Sequence, residues 1–310
     1  MSMNNSEIQL IRNKDIDRAK WDQCIDNSPS GIAYAQSWYL DRICLQWDAL
    51  VLGDYLYVMP LVNNRKYGIR YIYQPFFTQQ LGVFSSHNPE PKIINQFLDT
   101  IPKQFRLIDM NLNIGNKFET KEFSTRHNST YLLDLKSGLS EIRSLYKSNT
   151  KRNIQKATQQ NIKVKPINDI SLFLRFTAEN LRSKSPEIKS SHYSSLQKVI
   201  SYALENKCGE ILGAMDSENQ LLASVFFIQT NQTVIYLAAS SNQVGIENSA
   251  MFLLIDTFIQ QNAGRNLTLD FEGSNIPGVA RFYAGFGALP ETYLSIHQNQ
   301  LPLFLRVLKK

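Results

Sequence analysis

Asp270 and Glu272 close a short apolar run that begins at Asn266, and Gly273 and Ser274 follow at once. Residues two apart in a strand share a face, so both carboxylates would point the same way at a strand exit. A carboxylate there could take a proton from a nucleophile, and Glu272, nearer the loop, is the better placed. The plain alternative is a polar strand exit that caps the next helix. Tyr283 lies in a helix-like stretch from Pro277 to Phe286, where a tyrosine commonly packs its ring and hydrogen-bonds its hydroxyl. Arg281, just before it, could bind an anionic acceptor or simply cover surface.

The elements that would position these residues run from Gly209 to His297. Three apolar runs, Glu210 to Met215, Leu221 to Thr230 and Thr233 to Ala239, are separated by polar turns and read as a strand meander. From Asn248 to Ala263, Met251, Leu254, Ile255, Phe258 and Ile259 recur at helical spacing, and Gly264 stands where a helix-ending left-handed residue belongs. Asn266 to Glu272 is a strand, Pro277 to Phe286 a helix, and Leu289 to His297 a last strand. A helical crossover makes the strands on either side of it parallel neighbours, and ligands gather at the carboxyl ends of such strands. The loop Asn242, Gln243, Val244, Gly245 to Asn248 leads into the long helix. Free backbone N–H groups and a positive helix end would face an anionic ligand there.

With 310 residues the chain has room for two domains, and its composition is globular throughout. The first residues are polar and no apolar run approaches a membrane span, which leads us to expect a cytoplasmic protein without a transmembrane segment. Cys24, Cys44 and Cys208 are far apart, and His87, His127, His192 and His297 are equally scattered, so neither a disulfide framework nor a metal site is expected.

The first half repeats the succession of the second. Ala49 to Gly53, Tyr55 to Val62 and Ile69 to Gln74 read as strands, Pro91 to Ile101 as a helix, and Arg106 to Asn111 and Thr130 to Leu135 as further strands. Two copies of one domain are the economical architecture. Between the halves, residues 139–165 hold seven basic side chains, among them Arg143, Lys147, Lys151 and Arg152, against the single acid Glu141. That excess of six equals the net charge of the whole chain, so the charge is concentrated in this segment. It reads as a helix to about Gln160, capped by Ser140, with Arg143, Lys147 and Lys151 on one face. Such a face is either solvated surface or a surface for phosphates.

The order of elements, together with Ala280-Arg281-Phe282-Tyr283-Ala284-Gly285-Phe286-Gly287-Ala288, resembles the GNAT acyltransferase superfamily. The stretch from Thr130-Tyr131-Leu132-Leu133-Asp134-Leu135 through Asn149 to Ala157 and Asn161-Ile162-Lys163-Val164 resembles the domain junction of its FemAB-like tandem branch. The resemblance implies an acyl-coenzyme A co-substrate held at the Asn242 to Asn248 loop and Tyr283 as the acid that protonates the leaving group. In the FemAB-like branch it implies instead an aminoacyl-tRNA donor and a peptidoglycan precursor as acceptor. The chain departs from the GNAT phosphate loop at Asn242 and Glu247, and from FemAB-like relatives in having Tyr283 after Phe282 where several have lysine. Ser171 to Asn206 leaves room for only two ordinary helices.

We therefore expect an α+β protein of two tandem GNAT-like domains, each a mixed central sheet flanked by helices, residues 1–138 and 139–310, the second opened by the basic helix. The leading expectation is transfer of an acyl group from a coenzyme A thioester to an amine of an amino sugar or cell-envelope precursor. Glu272 would be the base and Tyr283 the acid, with Asp270, Arg281, Lys151 and Arg152 binding substrate. The alternatives are FemAB-like aminoacyl transfer from tRNA and an inactive module that holds a glycan or peptide. Convergence of Glu272 and Tyr283 on one cleft discriminates the enzymes from the module.

Overall fold

The computed structural model describes residues 7–182, 185–273 and 275–301, so the Ser274 end of the polar loop lies outside the described residues. In chain order the elements are β1 (Ile8–Ile11), α1 (Arg18–Asp26), α2 (Ser37–Ile43), β2 (Trp47–Leu52), β3 (Tyr57–Lys66), β4 (Ile69–Ile72), β5 (Phe84–Ser85), α3 (Pro91–Asp99) and β6 (Phe105–Asn111). They continue with β7 (Ser124–Asp134), α4 (Leu139–Ser144), α5 (Ser148–Gln159), β8 (Lys163–Pro166), α6 (Ile170–Leu181), α7 (Ser190–Glu205), β9 (Gly209–Met215), β10 (Leu221–Thr230) and β11 (Thr233–Ser241). The chain closes with α8 (Gln243–Glu247), α9 (Ala250–Asn262), β12 (Thr268–Asp270), α10 (Pro277–Ala284) and β13 (Leu289–Asn299).

Two compact units result. The first takes the described parts of Met1–Asn128 and Thr292–Lys310. In it β1, β2, β3 and β4 pair antiparallel in succession, β4 pairs β6 in parallel across the α3 crossover, and β6 pairs antiparallel with Ser295 to Asn299 of β13. Its core holds the fully buried Trp21 and Trp47, with ring centroids 4.9 Å apart.

The second unit is Ser129–Glu291. Here β8, β9, β10 and β11 pair antiparallel, β11 pairs β12 in parallel across α9, and β12 pairs antiparallel with Leu132 to Asp134 of β7. The interior of β10, Leu222 to Ile228, is buried without alternation because both faces of the sheet are covered. Phe227 stacks on Phe258 of α9 at 3.9 Å, which fastens the helix to one face. With the two-residue β5 and the short α8 set aside, β1 to β6 and β8 to β12 share one succession: strand, two helices, three strands, helix, strand.

The division differs from the expected boundary at 138 and 139. Each unit's pairing is completed antiparallel by a strand remote in sequence: the last described strand serves the first unit, and the segment beginning at Ser129 serves the second. Such pairing is set by non-local register, which local patterns do not carry.

The basic segment also differs from one continuous helix. It breaks at Leu145 to Lys147 into α4 and α5 and ends in β8, and α4 is capped by Gly138 rather than Ser140. The break lets Arg143 reach α9, where its Nε and Nη2 donate to the two oxygens of buried Asp256 at 3.0 and 2.6 Å. Arg143 is therefore committed to an ion pair with a buried partner while its own side chain stays partly exposed. Lys147, Lys151, Arg152 and Lys156 are exposed and form no ion pair among the described residues. No described helix is long and apolar enough to cross a membrane.

Replacing Arg143 leaves Asp256 buried without its partner, although the open side of the guanidinium admits water. Arg143→Ala should lower unfolding free energy by about 1–3 kcal/mol, whereas Lys151→Ala should change it by less than about 0.5 kcal/mol. Urea unfolding of both variants checks the contrast.

Candidate functional site

Pairing between β11 and β12 lasts three residue pairs and stops at Ile235 and Asp270, while β11 runs on to Ser241. Just past that point the register of β11 on β10 steps from Tyr236 to Ala238 and leaves out Leu237, a β-bulge. The two parallel strands thus part at their carboxyl ends, where an open sheet of this type receives ligands.

Beyond the parting point β12 still clings to β7, since Phe271 N–H donates to the Tyr131 carbonyl at 2.9 Å. The Asp270 carboxylate is buried and accepts at one oxygen from the Thr130 hydroxyl and, at 2.8 Å, from the Glu272 N–H. The chain turns there. Glu272 has φ +54°, a left-handed conformation uncommon for a residue with a side chain. Gly273 follows because a Cβ at that position would lie 2.0 Å from the Ser129 carbonyl oxygen.

The turn carries the Glu272 side chain inward. Its Oε1 is closed off from solvent and has no hydrogen-bond partner among the described residues. The expected two-residue alternation does not hold, because Glu272 is past the strand; the two residues are linked instead through the Asp270 carboxylate and the Glu272 backbone N–H.

Tyr283, on α10, lies over the same place. Its ring stacks on Phe271 at 4.9 Å and approaches Tyr236 at 5.9 Å and Tyr131 at 6.2 Å. The Tyr236 hydroxyl is engaged with Met251 Sδ at 3.3 Å. Burial pushes the Glu272 carboxyl well above the ordinary carboxylate range. Burial raises Asp270 to about 6, against the opposing pull of the Thr130 hydroxyl and the Glu272 N–H. Tyr283 is raised by burial and further by the nearby Glu272 and Asp270, so its phenol keeps its proton at neutral pH. A raised carboxylate is a stronger base, and a protonated phenol is a donor.

The other candidates fall elsewhere. Arg281 is exposed; two residues from Tyr283 on a helix, it faces nearly the opposite way. Lys151 and Arg152 are exposed on α5, whose start packs against the end of α10: Lys147 N–H donates to the Gly285 carbonyl at 2.9 Å, and a Cβ on Gly285 would lie 2.4 Å from Thr150 Oγ1.

At the expected phosphate loop a short helix, α8, precedes α9, and left-handed Ser249 separates the two. Asn242 caps α8 and its Oδ1 accepts from Gly245 N–H at 2.7 Å. A Cβ on Gly245 would meet the Leu222 carbonyl oxygen at 2.1 Å, so this glycine is held against β10. Gln243 donates to Glu247, Val244 is exposed, and Asn248 N–H closes on Val244. The Gly245 N–H is thus spent internally, and the same short helix carries the exposed Glu247 carboxylate, whose charge opposes a pyrophosphate there.

Thr130 and the Leu237 bulge escaped the sequence reading. Thr130 heads an ordinary apolar run, and a bulge leaves no mark in residue types. No group of three or more histidine, cysteine or carboxylate side chains suited to a metal occurs among the described residues.

Paired mixed sheets with parting parallel strands define a GNAT-like fold of the FemAB type, in tandem arrangement. Among solved structures, FemX matches with a TM-score of 0.67 at 10% identity, over 97% of this chain and 100% of that one. A conserved protein of unknown function from Bacteroides thetaiotaomicron matches with a TM-score of 0.55 at 12% identity, over 91% and 98% of the two chains. L-PGS from Bacillus licheniformis gives 0.54 at 12% identity, over 94% and 95%. At such identities the likeness is one of fold. No protein-family model and no curated protein matches the sequence.

Because Asp270 binds its proton more tightly folded than unfolded, its contribution to stability is full below the unfolded value near 3.8 and is lost as pH rises through about 6. Asp270→Asn has no such titration. The stability of the native protein relative to this variant should fall between pH 4 and 6 and level off above about 7, as read by urea unfolding across that range.

Proposed function

We propose that the second unit is an acyltransferase site that moves an acyl group onto an amine. The observation that carries this reading is the meeting of Glu272 and Tyr283 where β11 and β12 part. The Glu272 carboxylate takes a proton from the attacking nitrogen as the carbon–nitrogen bond forms. Tyr283 gives its proton to the oxygen or sulfur of the departing carrier, and proton exchange between the two residues restores the start. A donor for the carbonyl oxygen would come from the backbone of Tyr236 to Ala238, opened by the bulge. Tyr283→Phe and Glu272→Gln should each lower turnover about 10²-fold while the protein stays folded. Unchanged turnover in either removes that residue from the chemistry.

Between the donors considered, the Asn242 to Asn248 loop disfavours coenzyme A, and the unpaired cations of α5 favour one carried on RNA. The FemAB resemblance implies such a donor, with an envelope precursor as acceptor. Lys147, Lys151, Arg152 and Lys156 would meet phosphates, each neutralised phosphate steepening the salt dependence by about 0.9 in log–log slope for a duplex. RNA binding by the double variant Lys151→Ala, Arg152→Ala should show a slope shallower by about 1–2 in a salt titration. Binding that is insensitive to salt would instead remove the polyanionic donor.

A further inference from the structure

At the other end of the second unit's sheet, where β9 and β11 begin and α9 ends, is a cavity of about 250 Å³ lined by Lys207, Glu210, Phe227, Gln229, Phe258 and Arg265 among others. Val234, which lines it, stands next to Ile235 at the parting point, and the lining residue Phe227 packs on Tyr236 with ring centroids 5.8 Å apart, but Glu272 and Tyr283 are not among its lining residues. Its size is ample for a small metabolite, since a cavity of about 150 Å³ holds benzene.

The charges in it are placed as if awaiting a partner. Glu210 is half-buried, and its side chain makes no hydrogen bond or ion pair among the described residues. Arg265 lies near enough to act on Glu210 electrostatically without pairing with it, because its Nη1 is turned to the Asn262 amide oxygen. Lys207, held in a left-handed conformation after α7, adds a second unpaired cation at the rim. A carboxylate drawn out of water without a partner is unfavourable, and a direct Glu210–Arg265 bridge would have been the cheap remedy. Two opposite charges kept apart across a cavity match a ligand that carries both.

We propose that this cavity binds a free α-amino acid with a small side chain, its ammonium group on the Glu210 carboxylate and its carboxylate towards Arg265 and Lys207. The Gln229 amide and the edges of Phe227 and Phe258 leave room for a methyl-sized side chain. This site is separate from the acyl-transfer site and does not depend on that reading.

Calorimetric titration of the full chain with L-alanine, propionate and ethylamine tests it. L-alanine should bind saturably, and the two analogues, each lacking one charge, should bind at least about tenfold more weakly. Glu210→Gln should weaken L-alanine by at least about tenfold while leaving thermal unfolding unchanged or raised. Should that variant not fold, Arg265→Met, a change at an exposed side chain, should weaken L-alanine similarly. Glu272→Gln should leave binding intact. Absence of saturable L-alanine binding, equal binding of ethylamine, full binding by Arg265→Met, or loss of binding in Glu272→Gln would each overturn the proposal, the last by moving the amino acid to the transfer site.

Discussion

One buried carboxylate fixes the geometry on which the second unit's chemistry rests. Asp270 accepts from the Thr130 hydroxyl on β7 and from the N–H of Glu272, and these two bonds turn β12 away from β11 at a defined residue. Hydrogen bonds to a charged acceptor contribute about 1.5–3 kcal/mol each, the same order as the cost of about 1–3 kcal/mol for holding a residue such as Glu272 in a sparsely populated conformation. The strain at Glu272 therefore persists because a specific acceptor over-determines it. Remove the acceptor and the glutamate has no reason to face inward.

The aromatic packing around that turn serves the same end. Phe271, between the two acids, stacks beneath Tyr283, while Phe282 and Phe286 of the same stretch pack on Phe252 of α9. Stacked and edge-on pairs add about 0.5–1.5 kcal/mol each beyond burial, and here they fix the position of the Tyr283 ring. Exclusion of water from Glu272 Oε1 is the physical cause of its raised proton affinity. Packing and acid–base character are one property of this cluster.

Local pattern made most of the second unit legible. The apolar runs of β9 to β11, the periodicity of α9 and the Gly264 stop, at φ +82°, reflect forces acting within a few residues. The exchange of completing strands, with β7 on β12 and β13 on β6, was not legible, because nothing in either strand names its partner. The break at Leu145 was hidden among residues that all tolerate a helix, and the bonds that accompany it, Arg143 to Asp256 and Lys147 N–H to the Gly285 carbonyl, are to partners remote in sequence. Glu272 and Tyr283 were recognisable as reactive types at suggestive places. Their meeting depends on a left-handed turn and a threonine from a distant strand, neither of which spacing encodes. The Gly245 loop misled in the opposite sense: Asn242 carries a helix-capping signal, and a satisfied cap consumes the N–H group that an open loop would have offered.

The charge distribution then constrains what can approach. A carboxyl as shielded as Glu272 favours its neutral form when alone, and an amine in water favours its cation. In the acyl-transfer reading proposed above, positive charge developing on the attacking nitrogen next to Glu272 supplies the compensating charge, so the carboxylate is stabilised beside the group it would deprotonate. As the carbon–nitrogen bond forms, transfer of the proton from that nitrogen to Glu272 returns both to neutral forms inside a low-dielectric site, where separated charge is costly. A neutral amine beside an acyl carbonyl is the reactive state, and the same burial that withholds water from Glu272 favours reaching it. On that reading an amine is favoured over a hydroxyl acceptor, because an attacking amine nitrogen carries positive charge beside the ionised glutamate more stably than an attacking hydroxyl oxygen does.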